Sequence, residues 1–437
     1  MSTHQIVFIA FASLAFGFFA FTVFKIIGNF KLTKKLNRFD KIVERTTLTL
    51  LVAFGQKKIL KKPFVGMLHA LVFWGFLVIT VGTIEMLIDG FLGLERTLSF
   101  TGKFYSIITA SGDIFAVIVF TSCMLFLYRR YIIKPKRFIA PEMKPSSNMD
   151  ATLVIAMIIL LMLSLLGMNT GYVKLHPNDY SGLFPVSSLL ANTNITGSNV
   201  ELFEGINWWT HISLVLLFMN LLPYSKHFHV FLAVPNVFFS RLEPKAKLNN
   251  LESVTKEVKL MMNPDTAFAS PAEGETPATP ERFGVKDVED IHWKNLMDAY
   301  TCTECGRCSA QCPANKTGKI LSPRKLYIDL RARMTEKAIG LKSEGPQFTD
   351  GKSLIGSYIS EEELWACTTC MSCVEQCPVD IDHVPFIIDM RRELVMEESK
   401  MPEGIAMMCT NIENNGAPWQ FSPSDRFNWA ENITLNA

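Results

Sequence analysis

The sequence predicts a mainly α-helical protein, in which a five-helix transmembrane bundle is followed by a small helical, ferredoxin-like dicluster domain. Two observations predict this class: long apolar stretches fill the first half of the chain, and one four-cysteine pattern occurs twice after them. The 437 residues are 49% hydrophobic and carry a formal net charge of +2. Because Lys and Arg lie at the ends of apolar stretches rather than in one patch, they indicate membrane topology and argue against nucleic-acid binding.

Five apolar stretches each approach the ~20 residues that a helix needs to cross a bilayer. The first has no basic region before it, and Lys25, Lys31 and Lys34 follow it. We therefore interpret it as an uncleaved anchor rather than a signal peptide. The five stretches cover residues 5–29, 64–88, 104–128, 150–170 and 207–226.

Basic residues also indicate how the bundle is oriented. They precede the second stretch and follow the third and the fifth, whereas the intervening loops contain few. We therefore expect a multi-pass protein of the bacterial cytoplasmic (inner) membrane. Its N-terminus would lie outside, and its C-terminal half would lie in the cytoplasm.

These patterns divide the chain into four predicted parts. Residues 1–235 would form the transmembrane domain, 236–284 a helical segment and linker, 285–400 the dicluster domain and 401–437 a tail. From Asn263 onward the linker is rich in Pro, Ala, Glu and Thr and has little hydrophobic content. The tail lacks strong periodicity, so we expect little regular structure there.

Smaller segments carry signals of their own. Residues 31–60 mix apolar and basic residues, which is typical of an amphipathic segment on the membrane surface. Residues 171–206 hold clusters of Pro, Gly, Asn and Ser, which predict a loop with short turns. Helices are expected over Arg241–Met262 and, between the two cysteine motifs, over Leu326–Ala338.

The pattern C-x2-C-x2-C-x3-C-P begins at Cys302 and again at Cys367. In such a motif three thiolates of one tight turn bind one cubane, and the fourth cysteine ligates the other cluster. Zinc sites usually show paired C-x2-C halves, and disulfides require an oxidising compartment, so both alternatives are disfavoured. The expected ligands are Cys302, Cys305, Cys308 and Cys377 for the first 4Fe-4S cluster, and Cys367, Cys370, Cys373 and Cys312 for the second.

Four histidines lie in or beside the apolar stretches: His69, His211, His227 and His229. An imidazole within a membrane span is costly unless it finds a partner, and ligation of haem iron is one frequent reason for it. A hydrogen-bonded packing or interfacial histidine is the alternative. On one continuous helix His211 and His229 would face the same side about 27 Å apart, with His227 pointing nearly opposite. The favoured arrangement is a b haem between His69 and His229, with His227 as an alternative ligand because Pro223 weakens the angular argument.

The residues resemble a known family. The stretch with Pro63, His69 and Phe73–Phe76, together with His211–His229, resembles the nitrate reductase gamma subunit and the membrane (E-type) subunit of heterodisulfide reductase. The two cysteine motifs, with Asp382–His383, resemble the iron-sulfur (C-type) subunit of heterodisulfide reductase. The chain is thus similar, over about residues 50 to 400, to a fusion of these E-type and C-type subunits among membrane-bound iron-sulfur reductases. The resemblance implies haem b, two 4Fe-4S clusters and exchange with a quinone.

The sequence departs from that family in two ways. Members with two haems carry a second histidine roughly three turns after the first on the second helix, and Ile79 occupies that place here. His211 then either binds a second haem with a ligand such as His4 or His176, or lies alone near a quinone pocket, so one haem is favoured and two remain an alternative. In addition, the paired-cysteine CCG motif of the substrate-reducing subunit is absent from this sequence. We therefore expect substrate chemistry on a separate protein.

These observations predict an electron-transfer subunit of a membrane quinone oxidoreductase in a respiratory chain. Electrons would pass between a cytoplasmic redox partner, the two clusters, haem b and the quinone pool, and no catalytic residue is assigned to this chain. By resemblance, the partner is a CCG-domain iron-sulfur protein or an electron-transfer flavoprotein. The alternative is a redox-sensing or assembly module of a membrane complex without quinone chemistry.

Overall fold

The computed structural model describes residues 2–177, 179–263 and 282–431. Within these ranges the chain folds into helices and forms no β-strand, which confirms the predicted mainly α class. Five of these helices are long and apolar enough to cross a membrane, as predicted. The apolar spans are Thr3–Phe30, Pro63–Leu92, Lys103–Ile133, Pro145–Leu175 and Val200–Tyr224.

The N-terminal half contains nine α-helices within the described residues. Two of the spans begin with proline, at Pro63 and Pro145, where the missing N–H costs no helical hydrogen bond. The spans run longer than the apolar stretches because polar residues complete their ends. The helices are α1 (Thr3–Phe30), α2 (Ile42–Thr49), α3 (Lys57–Leu60), α4 (Pro63–Leu92), α5 (Lys103–Tyr128), α6 (Pro145–Leu175), α7 (Pro185–Ala191), α8 (Val200–Leu221) and α9 (His229–Phe238).

The bundle is held together by apolar contacts between neighbouring helices. Helix α6 packs against α5 and α8, α4 packs against α5, and α1 packs against α4 and α8. One buried cluster joins α1 and α8 through Phe8, Ile212 and Leu216. The outer surface of α1 stays apolar, since Leu14 and Phe24 are more than two-thirds exposed, as lipid-facing residues must be.

The fifth span does not continue into the helix that carries His229. Helix α8 ends at Leu221, and short 3-10 turns at Leu222–Tyr224 and Lys226–Phe228 separate it from α9. Pro223 provides the physical reason, because it lacks a backbone N–H and clashes with a preceding helical turn. The expectation of one continuous helix from His211 to His229 is therefore wrong, and so is the angle inferred from it.

The C-terminal half is a compact set of shorter helices, with the long helix α14 at its centre. Leu326, Leu330 and Met334 of α14 are fully buried and form the middle of the core. The same core includes Leu222 and Phe228 from the end of the bundle. The helices are α10 (Glu252–Met262), α11 (Trp293–Thr301), α12 (Arg307–Gln311), α13 (Pro313–Lys316), α14 (Pro323–Glu344), α15 (Glu361–Trp365), α16 (Ser372–Gln376), α17 (His383–Arg392) and α18 (Glu403–Asn415).

Several local predictions need correction. Of the predicted helix Arg241–Met262, only α10 is helical. The connecting helix predicted over Leu326–Ala338 extends to the full length of α14, and the outer loop contains α7. The tail expected to lack regular structure contains α18, which ends at Gly416 with a left-handed φ of 65° that suits glycine. Most of the predicted linker, residues 264–281, lies outside the described residues.

Candidate cluster and haem sites

The two cysteine turns adopt the same backbone shape. In the first turn Glu304 and Gly306 have positive φ angles of 55° and 69°. Thr369 and Met371, at the equivalent positions of the second turn, have φ angles of 54° and 59°. Each turn leads into a five-residue helix, α12 or α16, which is followed by Cys-Pro. The sequence repeat is thus also a structural repeat.

The packing of these two short helices exchanges the fourth cysteines between the turns. Helices α12 and α16 contact each other directly. Electrostatic interactions show which thiols lie close together: Cys377 interacts with Cys302 and Cys305 of the first turn. Cys373 interacts with Cys367, Cys370 and Cys312, and Cys308 has neighbours in both groups. This grouping has the same membership as the two ligand sets inferred from the spacing.

The environment of these thiols fits iron-sulfur clusters. Burial raises the pKa of Cys302 and of Cys373 to about 12, so these thiols ionise only where a positive charge, such as that of iron, favours the thiolate. Backbone N–H groups of Thr369 and Ile381 donate hydrogen bonds to sulfurs of Cys367 and Cys377, each at 3.4 Å. Such bonds stabilise negative charge on a ligating sulfur.

A single metal ion fits these thiols less well than a cluster. Tetrahedral zinc, with Zn–S bonds of ~2.3 Å, holds its four sulfurs within about 4 Å of one another. Among residues 2–177, 179–263 and 282–431, no three His, Cys, Asp or Glu side chains converge closely enough to hold one ion. A cubane binds each thiolate to a different iron, so its ligands stand farther apart. The two groups of four cysteines therefore suit two 4Fe-4S clusters.

The two turns differ in their exposure. Cys370 of the second turn is exposed to solvent, whereas Cys302, Cys308 and Cys377 are buried. The first turn faces the membrane domain: Arg307 Nη1 donates to the Lys58 carbonyl at 3.3 Å. Lys58 Nζ in turn donates to the Cys377 carbonyl at 3.3 Å. The first site therefore lies against the bundle, and the second lies nearer the protein surface.

His69 and His229 approach each other at this face of the bundle. They lie close enough to interact electrostatically, and Arg307 of the first cysteine turn interacts with His69. The buried Nδ1 of His69 has no hydrogen-bond partner within the described structure. Nδ1 of His229 donates to the Lys226 carbonyl at 3.3 Å, an orientation that leaves Nε2 available to a metal. This pair fits the axial ligands of a haem.

His227 and His211 have other surroundings. Nδ1 of His227 lies 2.8 Å from Ser225 Oγ and 3.5 Å from Asp150 Oδ2, which is a hydrogen-bonded, interfacial position. His211 is buried in the outer part of the bundle, where Nδ1 lies 3.0 Å from the Leu161 carbonyl. Together with Ile79, His211 lines a cavity of only about 50 Å³.

The two histidines considered as partners of His211 are engaged elsewhere. The ring of His4 lies 6.1 Å from that of Trp209, and the ring of His176 lies 4.8 Å from that of Tyr172. Neither lines the cavity beside His211. These positions give no support to a second haem held by His211 with either residue.

Buried polar residues at the junction were not identified from the sequence. Lys226 Nζ donates to Ser147 Oγ at 2.7 Å and lies 3.8 Å from Glu304 Oε2. Glu304, between the first two cysteines, also pairs with Arg331 and accepts a hydrogen bond from Ser147. In the sequence Lys226 indicated only the membrane face. Its contact with Glu304 joins segments far apart in the chain, and local patterns do not show such contacts.

Comparison with known proteins identifies the C-terminal half. Residues 301–381 match the family described as the 4Fe-4S dicluster domain. The chain contains a 4Fe-4S dicluster domain. The dicluster domain is also 32% identical to the C-type subunit of a heterodisulfide reductase from Methanosarcina acetivorans, over 24% of this chain and 53% of that protein. The predicted resemblance to the iron-sulfur subunit of heterodisulfide reductase is thereby confirmed.

Two relatives match far beyond the dicluster domain. "Probable iron-sulfur-binding oxidoreductase FadF" of Bacillus subtilis is 33% identical over 98% of this chain and 61% of its own length. "EtfAB:quinone oxidoreductase" of Syntrophomonas wolfei is 28% identical over 91% of this chain and 55% of its own length. The chain thus spans little more than half the length of these relatives. No solved structure matches the chain.

Proposed function

We propose that the chain is an electron-transfer subunit of a membrane quinone oxidoreductase, linking a redox partner on the cytoplasmic side to the quinone pool. The observation that carries this proposal is the position of the first cysteine turn. Arg307 of this turn interacts electrostatically with His69 and hydrogen-bonds to the Lys58 carbonyl. The candidate iron-sulfur site and the candidate haem site are thus direct neighbours at one face of the bundle.

The residues of the chain would hold two 4Fe-4S clusters and one b haem, which supply one-electron chemistry when bound. Cys302, Cys305, Cys308 and Cys377 would hold the inner cluster, and Cys312 would complete the second turn for the outer one. His69 and His229 would be the axial ligands of the haem. Lys226, Glu304 and Arg331 would keep the inner cysteine turn fixed against the haem-binding segment, because their charges are buried and paired.

The redox partner would approach the outer cysteine turn. Cys370 is exposed there, whereas the inner site is covered by the bundle. Since the similar proteins are longer than this chain and one is named an EtfAB:quinone oxidoreductase, the partner would be an electron-transfer flavoprotein or a CCG-domain iron-sulfur protein. The clustered basic residues at this face support a cytoplasmic location of the dicluster domain at the inner membrane.

The test is a redox titration of the detergent-purified chain with haem and iron measured in the same sample. We expect a b-type spectrum, one haem and about eight non-haem irons per chain, as two four-iron cubanes require. A water-soluble quinol or its quinone should change the haem spectrum within one mixing experiment. Protein that holds the iron but neither haem nor a response to quinones would contradict the proposal and would favour the redox-sensing module.

A further inference from the structure

A wide groove opens between the end of the third span and the start of the fourth, on the membrane face that carries the dicluster domain. Its volume is about 620 Å³. Arg130 and Lys134 line one end, and Met149, Leu153 and Ala156 line the other. The groove is therefore polar and cationic at one end and apolar at the other.

The cationic end gathers more positive charge than its surroundings neutralise. The guanidinium carbons of Arg129, Arg130 and Arg137 each lie 5.3 Å from the centre of the Phe138 ring. Within the described ranges, none of these arginines forms an ion pair with a carboxylate. Asp150 interacts with Arg130 at longer range and is itself close to His227. Mutually repelling cations around one ring would be stabilised by a bound anion.

The position of Arg130 at the groove is fixed by the protein. Its Nη2 donates to Asn148 Oδ1 at 2.8 Å and to the Asn148 carbonyl at 3.3 Å. The hydroxyls of Tyr131 and Thr152 lie 2.7 Å apart and join the third and fourth spans across the groove. The cationic end is thus built from ordered contacts between two spans.

The apolar end distinguishes a lipid from a free anion. Ile139 and Met149 are 68% and 70% exposed, and Leu153 is 47% exposed, so an apolar surface continues directly from the cations. A free phosphate would contact only the cations and leave this surface uncovered. A phospholipid would place its phosphate and an acyl chain against both ends at once.

We propose that this groove is a specific binding site for an anionic phospholipid. The headgroup phosphate binds Arg130 and Lys134, and an acyl chain lies along Met149, Leu153 and Ala156. Because Arg137 also interacts electrostatically with Cys305, the lipid headgroup sits beside the inner cysteine turn of the dicluster domain. The site requires neither haem nor quinone, so it is independent of the proposed function.

Native mass spectrometry of the full-length protein in detergent, titrated with dioleoyl phosphatidylglycerol, tests this site. We expect about one tightly bound lipid per chain and at least tenfold weaker binding of dioleoyl phosphatidylcholine. The variant R130Q/K134Q should bind phosphatidylglycerol at least tenfold more weakly. The matched control K57Q/K62Q removes two exposed charges from the same membrane face, outside the groove, and should bind it as the unmodified protein does.

A second variant tests the apolar end with the charges intact. Ala156→Phe should fill the acyl-chain path and weaken phosphatidylglycerol binding, while retained iron shows that the dicluster domain is folded. Equal binding of the two lipids, or undiminished binding in both variants, would overturn the proposal. Displacement of phosphatidylglycerol by millimolar inorganic phosphate would also overturn it, because that result would indicate an adventitious anion only.

Discussion

At the residue scale, the cysteines show how far a short motif can be interpreted. The grouping of Cys377 with the first turn and of Cys312 with the second follows from the spacing, because the motif encodes its own exchange. The environments of these thiols in the structure fit this grouping. The spacing does not indicate that Cys370 is exposed while Cys308 is buried, since exposure depends on the segments that pack above each turn.

Replacing Cys305 tests the ligand assignment directly. Cys305→Ala removes one of four thiolates from the inner site, and we expect the loss of about four of the eight irons. Iron analysis and electron paramagnetic resonance of the purified variant would measure this loss. Cys409→Ala is the matched control, because Cys409 is exposed in the tail and should leave the iron content unchanged. Full iron content in Cys305→Ala would show that this residue is not a ligand.

Replacing His69 tests the haem site. His69→Ala should lower bound haem at least tenfold, because one axial ligand is lost, and should leave the iron of both clusters in place. The pyridine haemochrome assay and iron analysis on one sample separate the two effects. His176→Ala, on the opposite side of the bundle against Tyr172, should keep its haem. An intact b-type spectrum in His69→Ala would refute the pairing with His229.

The histidines show where interpretation of the sequence stops. His69 and His229 were selected together because both lie near the basic membrane face, and the structure places them close together. The angular relation between His211 and His229 failed because Pro223 ends the helix between them. The contact between Lys226 and Glu304 was not predictable, because it depends on how the two domains pack.

At the element scale, the spans were predictable and their surroundings were not. Apolar length alone identifies five spans, because nothing else satisfies backbone polar groups in lipid. The ends of the spans extend beyond the apolar stretches, since polar residues continue the helices into the interface. The tail helix α18 was missed, although Glu403 in its first turn and Gly416 after its end are ordinary helix signals.

Two glycines of α4 allow a matched test of close packing before His69. A Cβ added at Gly66 would lie 2.2 Å from the Ile59 carbonyl oxygen, a backbone atom of α3, whereas among the described residues none lies within 4 Å of a Cβ added at Gly82. Gly66→Ala should therefore lower stability by about 1–3 kcal/mol. Gly82→Ala should raise it by up to about 1 kcal/mol through helix propensity.

Thermal unfolding of both variants in the same detergent measures this difference. The melting temperature should fall for Gly66→Ala, and haem content should fall with it, because Gly66 lies one helical turn before His69. For Gly82→Ala both quantities should stay level or rise. Equal melting temperatures in the two variants would mean that the α3–α4 corner is not tightly packed.

At the scale of the whole molecule, the dicluster domain and the bundle share one core. Leu222 and Phe228 from the end of the bundle belong to the same buried cluster as Leu326 and Leu330. Polar contacts reinforce it: Asn236 of α9 donates to Asp298 at 3.0 Å and to the Val379 carbonyl at 2.8 Å. The junction is thus part of the fold, and it covers the inner cysteine turn.

This arrangement predicts that the two clusters differ in resistance to oxidation. Under limited ferricyanide treatment the outer cluster, with exposed Cys370, should be lost first, leaving about four irons per chain. Time-resolved iron release with electron paramagnetic resonance would show two phases. Cys305→Ala, which lacks the inner cluster, should retain only the fast phase. A single phase for the unmodified protein would indicate that both clusters are equally accessible.

The exchange of fourth cysteines between the two turns has a consequence for biogenesis. While the chain is being synthesised, Cys302, Cys305 and Cys308 emerge long before Cys377, so their site stays one ligand short until the second motif has left the ribosome. Cys312 waits in the same way for the second turn. Neither metal centre can be inserted into a half-made domain, and delivery of iron and sulfide must follow translation of both motifs.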